Sequence, residues 1–280
     1  MCNSYRMKLT DSLFRQVAKL NTIGQMTKLR YRAADIASLA SAMNSKGHEA
    51  DMLGFRVSYL DDEAFHYALR EIFFHCDYLF EAGKDAPVIF DCGANIGLAT
   101  LYFKRLYPKA YISCFEADPT TAAILQKNVE QNHLNNVSTY NVMLSNENGE
   151  RSLYLEADAA GSLRMSGSAG RLPNHREIRV KAGRLSDYVD GPIDLLKMDI
   201  EGAEFEVMAD LKNSRKISLV QRMVIEYHHK IEGQVSRMSK FLALLEDEGF
   251  EYQLSGSCLP VTRQNTFQDI LIGAYRPYIN

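Results

Sequence analysis

Val88-Ile89-Phe90-Asp91-Cys92-Gly93-Ala94-Asn95-Ile96-Gly97 reads as a short apolar strand that ends in an acid and breaks into a glycine-rich turn. Val88, Ile89 and Phe90 are uniformly apolar, as in a parallel strand buried on both faces. From Ile96 to Leu106 the apolar residues recur at helical spacing, so the turn joins a buried strand to a helix N-terminus. Gly93 and Gly97 allow backbone conformations and a close ligand approach that a side chain would obstruct. Asp91 stands where a central strand of an open α/β sheet delivers its last side chain into the ligand crevice.

The acid separates this turn from its lookalikes. A phosphate-binding loop wants free amides and often a Lys, because its ligand is an anion. Here there is no Lys, and an Asp would repel a pyrophosphate but suits a ligand carrying an ammonium group and a sulfonium. The expected cofactor is therefore S-adenosylmethionine, held first by Asp91, Gly93, Asn95 and Gly97, and the pattern D-x-G-x-N-x-G resembles the first motif of class I methyltransferases. A nicotinamide-dependent oxidoreductase shares the strand, the turn and a distal acid, but Asp91 and the missing third glycine count against it. A non-catalytic cofactor-binding module is the other alternative.

Tyr111 to Glu116 is a second strand ending in an acid. Glu116 lies about 20 residues beyond the glycine turn, where doubly wound folds place the carboxylate that meets ribose hydroxyls. Ala117 follows it, and Asp118-Pro119 reads as the N-cap and first residue of a helix reaching about His133. Val137 to Leu144 reads as a third strand whose end, with Ser145, is expected beside the adenine. Asn148-Gly149 predicts a hairpin with Arg151 to Leu155. Ala157 to Gly170 is rich in Gly and Ser and reads as a loop or linker, with Arg164, Arg171 and His175 as candidate acceptor contacts.

Ile193 to Glu204 is a strand running into a helix. Leu195, Lys197 and Asp199 share one face by alternation, and an ionised Lys in an apolar strand is costly unless paired or open to a cleft. Glu201 and Glu204 are expected in the first helical turn, which the helix dipole alone would favour. Leu219 to Tyr227 reads as the next strand, and Glu226 and His228 point the same way. If the two strands are neighbours, Lys197, Asp199, Glu226 and His228 meet where open α/β sheets bind substrate. Asp199 or His228 would be the general base, with Lys197 and Glu226 orienting it; a structural Lys197–Glu226 ion pair is the plainer alternative. The acids around Asp199 could ligate a divalent ion, but no established ligand spacing is present and no metal is expected. Val235 to Glu246 reads as an amphipathic helix, and Phe250 to Leu254 and Phe267 to Tyr275 as closing strands.

Residues 1–86 read as a helical region, a cover, lid or oligomer contact, ahead of an α/β domain over 87–280. Leu13, Val17 and Leu20 form one stripe and Ile36, Leu39, Ala40 and Met43 another. A helix starting at Asp61 or Asp62 carries Phe65, Leu69, Ile72, Cys76 and Leu79 and stops near Gly83; Glu71 and Tyr78 are its notable polar residues. In a chain of 280 residues, 46% hydrophobic content supplies an ample core. A net charge of -3 gives no footprint for nucleic acid or anionic membrane, so a small or neutral acceptor is expected. Five scattered cysteines without a C-x-x-C pair, no signal-peptide pattern and no bilayer-spanning run predict a soluble cytoplasmic protein with reduced thiols.

Three segments resemble the FkbM family of methyltransferases: Val88 to Gly97, Cys114 to Pro119, and above all Lys197-Met198-Asp199-Ile200-Glu201-Gly202-Ala203-Glu204, with Val224 to His228 in the place of that family's later strand. The resemblance implies a class I, Rossmann-like, doubly wound seven-stranded sheet with the last strand antiparallel. It also implies methyl transfer from S-adenosylmethionine to a hydroxyl of a sugar, polyketide or similar natural product. It does not extend over the N-terminal helices, whose role and any homo-oligomer contact stay open.

Overall fold

The computed structural model describes residues 31–156, 165–166, 175–231, 235, 237–256 and 268–277. The Leu13, Val17 and Leu20 stripe, Arg164, Arg171 and most of the Gly/Ser-rich segment lie outside them.

The N-terminal region is not wholly helical. Helix α1 (Ala33–Ala42) leads to a hairpin of β1 (Glu49–Met52) and β2 (Phe55–Ser58), then to α2 (Asp62–Leu69). Gly54 (φ 85) and Leu53 (φ 52) turn the hairpin, in a stretch whose apolar spacing alone suggested helix. Asp61 caps α2 by accepting from the Ala64 N–H at 2.7 Å. The helix then widens into a π-turn, Arg70–His75, and stops at Cys76, which adopts the left-handed conformation (φ 59). The expected end at Gly83 therefore comes seven residues late. Widening the spiral is what keeps Ile72, Phe73 and Phe74 all buried.

The α/β domain alternates β3 (Val88–Cys92), α3 (Leu98–Leu106), β4 (Tyr111–Glu116), α4 (Pro119–Gln131) and β5 (Val137–Asn141). A side sheet follows, made of β6 (Met143–Ser145), β7 (Gly149–Glu156), β8 (Met165–Ser166) and β9 (His175–Arg184). The main sheet resumes with β10 (Leu195–Met198), α5 (Glu204–Asn213), β11 (Arg222–His229), α6 (Met238–Asp247), β12 (Glu251–Gly256) and β13 (Gln268–Tyr275). Its seven strands run in the order β12-β13-β11-β10-β3-β4-β5. β13, last in the chain, is antiparallel to both neighbours, and the β10–β11, β10–β3, β3–β4 and β4–β5 pairings are parallel. This is the expected doubly wound sheet.

The hairpin expected at Asn148-Gly149 does not form between neighbours in sequence. β9 inserts between β6 and β7, pairing parallel with the first and antiparallel with the second. Ten residues of β9 offer a longer ladder than the three of β6, so the distant strand wins the pairing.

Two apolar layers flank the main sheet. One face (Ile89, Ile112, Cys114, Leu195, Val224) packs against the N-terminal region, α3 and α4; the other (Phe90, Phe115, Leu196, Met198, Ile225) packs against α5 and α6. The described part of the N-terminal region packs over this face of the sheet, and Asn128 on α4 ties it there. Its Oδ1 accepts from the Ser58 N–H at 2.7 Å, while its Nδ2 donates to the Ser58 and Ile96 carbonyls.

Gly93 (φ 77) is needed for a reason different from ligand approach: a Cβ there would lie 1.7 Å from the Asp199 carbonyl oxygen. Gly83 has nothing within 4 Å of a built Cβ. Gly93→Ala is expected to destabilise the protein by about 3 kcal/mol or more, and Gly83→Ala by no more than about 0.5 kcal/mol. Thermal melts of the two variants check this; equal melting temperatures would contradict it.

Candidate active site

Register brings the charged residues together. β10 pairs with β3 so that Lys197 lies opposite Asp91, and β11 runs beside β10 with Lys197 opposite Val224. Asp91, Lys197, Asp199, Glu226 and His228 thereby collect at the carboxyl ends of three adjacent parallel strands.

Asp91 is fully buried and does not face an open crevice. The strand runs one residue further than the sequence suggests, to Cys92, and the Asp91 carboxylate turns toward α3. Its Oδ2 accepts from the Thr100 hydroxyl at 2.8 Å, and its Oδ1 lies 3.3 Å from the Lys197 ammonium. Lys197 also donates to the Gly93 carbonyl at 2.7 Å. Its acid within ion-pair distance is Asp91, not Glu226. Burial alone would lower the Lys197 pKa, but Asp91 first, then Asp199 and Glu226, raise it above the ordinary value, so the side chain stays charged.

Glu116 closes the turn from the next strand. One carboxylate oxygen accepts from the Asn95 N–H and the other from the Asp118 N–H, each at 2.9 Å. Burial pushes its pKa up to about 7 against these two donors. A buried carboxylate with so few donors is well matched to hydroxyls that would donate to it. Gly97 (φ 92) begins α3, where a Cβ would meet Leu125 at 2.8 Å. Asp118 caps α4 as expected, accepting from the Thr121 N–H at 3.0 Å. Ala117 packs with Met143 against the side-sheet core, and Ser145 ends β6, buried.

At the carboxyl end of β11, His228 is ringed by carboxylates. Nδ1 lies 2.8 Å from Glu204, and Nε2 lies 3.1 Å from Glu201, 3.7 Å from Asp199 and 3.8 Å from Asp269. Its side chain is 2% exposed, whereas those of Glu201, Asp199 and Asp269 are 18%, 27% and 48% exposed, so the carboxylates and not the imidazole are the groups a ligand could reach. Burial alone would raise the Glu204 pKa, but His228 and the Gly202 N–H reverse that and hold it below the usual range. Glu226 is pushed up to about 8, chiefly by the Asp199 charge and then by burial. Near neutrality the Asp199 charge and burial therefore favour the protonated form of Glu226.

Glu201 is not in the first helical turn. It precedes α5 in the left-handed conformation (φ 60), with Gly202 (φ 109) after it, and this backbone turns its side chain back toward His228. Only Glu204 begins the helix. Asp269 escaped the sequence reading because it arrives through antiparallel pairing, opposite His228 on β13. Thr100 also escaped it: a lone Thr in an apolar helix carries no signal. His175 is exposed at the start of β9. Asp199, Glu226 and His228 each present one ligand atom within 4.8 Å of the others, a spacing that could hold an ion.

Residues 91–252 match the model of the methyltransferase FkbM domain. The chain belongs to the FkbM methyltransferase family. Among its relatives, methyltransferase sdnD of Sordaria araneosa is 33% identical over 237 residues, covering 72% of this chain and 88% of that protein. Methyltransferase 1 of Beauveria bassiana is 31% identical over 202 residues, covering 65% and 79%. The 2-O-methyltransferase NoeI of Sinorhizobium fredii is 32% identical over 149 residues, covering 47% and 60%. The stretch Lys197 to Glu204 supplies both the Asp91 partner and three of the four acids around His228.

The raised Glu226 gives a pH signature. Its folded pKa of about 8 lies above the 4.5 of the free group, so its contribution to stability is full below 4.5 and is lost as pH rises through 8. Glu226→Gln cannot ionise. Its melting temperature relative to the unsubstituted protein is expected to climb by a few degrees between about pH 5 and about pH 9; a difference that stays flat with pH would contradict the assignment.

Proposed function

We propose that this FkbM-family protein is an S-adenosylmethionine-dependent O-methyltransferase acting on a hydroxyl of a sugar or natural-product intermediate. The observation that carries the proposal is the joint between the two halves of the site. The Asp199 N–H donates to the Cys92 carbonyl at 3.0 Å, and the Asp199 carbonyl packs against Gly93. The glycine turn and the open carboxylate are therefore parts of one rigid junction. The name of NoeI, a 2-O-methyltransferase, supports oxygen as the acceptor atom.

The residues present fit the cofactor. Glu116 offers its buried carboxylate to the ribose hydroxyls, the turn from Gly93 to Gly97 offers backbone groups, and Ala117 with Met143 to Ser145 flanks the adenine. Asp91 acts from behind this surface, through Lys197 and Thr100. When bound, S-adenosylmethionine would supply a sulfonium methyl whose carbon bonds to the hydroxyl oxygen in line as the C–S bond breaks and its electron pair stays on sulphur. Asp199 takes the hydroxyl proton. His228, clamped between Glu201 and Glu204, and Glu226 hold and tune that carboxylate, and the acids around them accept hydrogen bonds from a hydroxyl-rich acceptor.

Positioning two reactants can remove roughly 7 to 11 kcal/mol of barrier, while a general base contributes about 10²- to 10⁴-fold in rate. Asp199→Ala is therefore expected to lower turnover by about that factor while sparing cofactor binding; full activity would remove Asp199 from the mechanism. No metal is invoked, since the Asp199 carboxylate alone can take the hydroxyl proton. Turnover lost to a chelator and restored by magnesium would overturn that part.

Isothermal titration is expected to show saturable 1:1 binding of S-adenosylhomocysteine and none of NAD; the reverse would favour an oxidoreductase. Metabolite extract incubated with enzyme and cofactor should yield a product heavier by about 14 Da, one added methylene unit. Binding without any such product would favour a non-catalytic module. Buried, reduced thiols at Cys92 and Cys114 agree with work in the cytoplasm. Among the described residues no helix is long and apolar enough to cross a membrane.

A further inference from the structure

Residues 62–82 precede the family-matched segment, yet the Tyr78 side chain among them reaches the site. Lys197 Nζ lies over the Tyr78 ring, 5.2 Å from its centroid. The backbone on both sides of Tyr78 is pinned. After the π-turn, the Leu79 N–H donates to the Cys76 carbonyl at 2.9 Å. Further on, the Tyr107 hydroxyl donates to the Phe80 carbonyl at 3.2 Å and accepts from the Ala82 N–H at 2.9 Å. Tyr78 itself is 7% exposed, packed in the layer that contains Leu195 and Val224.

The ammonium needs such a neighbour. Asp91 Oδ1 at 3.3 Å and the Gly93 and Cys92 carbonyls at 2.7 and 3.5 Å occupy its sheet side. A buried cation with one face against aliphatic carbon would lose solvation there without compensation, whereas the electron-rich face of an aromatic ring attracts it. We propose that Tyr78 is a positioning residue whose ring face holds the Lys197 ammonium against Asp91 and the Gly93 carbonyl, so that the segment preceding the family domain sets the shape of the cofactor turn. Burial, then Asp199, Glu226 and Asp91, push the Tyr78 phenol well above its usual pKa, so the ring stays neutral.

The inference rests on the glycine turn being the cofactor site, and the test separates the two. S-adenosylhomocysteine affinity is measured for the unsubstituted protein, for Tyr78→Phe, for Tyr78→Leu and for pentafluorophenylalanine at position 78. The last keeps the shape of a phenyl ring and reverses the polarity of its face. Tyr78→Phe is expected to bind within about twofold of the unsubstituted protein, and the pentafluoro variant roughly three- to thirtyfold more weakly at an unchanged melting temperature. Tyr78→Leu should lose at least as much. If the pentafluoro protein does not fold, the contrast between Phe and Leu decides. Unchanged affinity in the folded pentafluoro or Leu variant, or a loss in Tyr78→Phe equal to theirs, overturns the role of the ring. Failure of the unsubstituted protein to bind would instead refute the proposed function.

Discussion

The buried ion pair between Lys197 and Asp91 is the constraint on which the site depends. Its side chains are 3% and 0% exposed and belong to facing residues of two central strands. Removing one partner of a buried pair typically costs about 3–5 kcal/mol, because the other charge is left without solvent or counterion. The pair also cannot slide. A shift of one residue between β3 and β10 would carry Lys197 to the other face, into the layer of Met198 and Ile225. Electrostatics therefore fixes the register, and the register delivers Asp199 against Gly93.

From that joint the two halves of the site follow. Toward β4, the Glu116 carboxylate ties the turn to the next strand through the Asn95 N–H. Toward β11, the chain after Asp199 passes through two left-handed residues and brings Glu201 and Glu204 to opposite nitrogens of His228. Backbone strain of that kind persists only where surrounding contacts over-determine it, and the His228 clamp supplies such contacts. Around the glycine turn the charged groups are buried and paired; around His228, Asp199 and Asp269 stay partly exposed.

Much of this was legible in the sequence. Val88 to Gly97 and Lys197 to Glu204 marked both halves, because buried parallel strands with polar ends leave an unmistakable composition. What stayed hidden depended on pairing between distant segments. Asp91 read as a ligand contact because nothing in one strand shows which neighbour will neutralise it. Asp269 reached His228 only through the antiparallel β13, and β9 displaced an expected hairpin by pairing across about 30 residues of chain. The π-turn before Cys76 was invisible because its apolar residues keep nearly the spacing of an ordinary helix. Glu201 was placed one turn too late because a left-handed Glu carries no signature of its own.

The most direct test is a crystal structure of the protein grown with S-adenosylhomocysteine. The account predicts density across Gly93 to Gly97 with the ribose hydroxyls on Glu116, the sulphur facing Asp199, and Lys197 still joined to Asp91 and the Gly93 carbonyl. Density elsewhere, or a Lys197 released from Asp91 to meet the ligand, would contradict it.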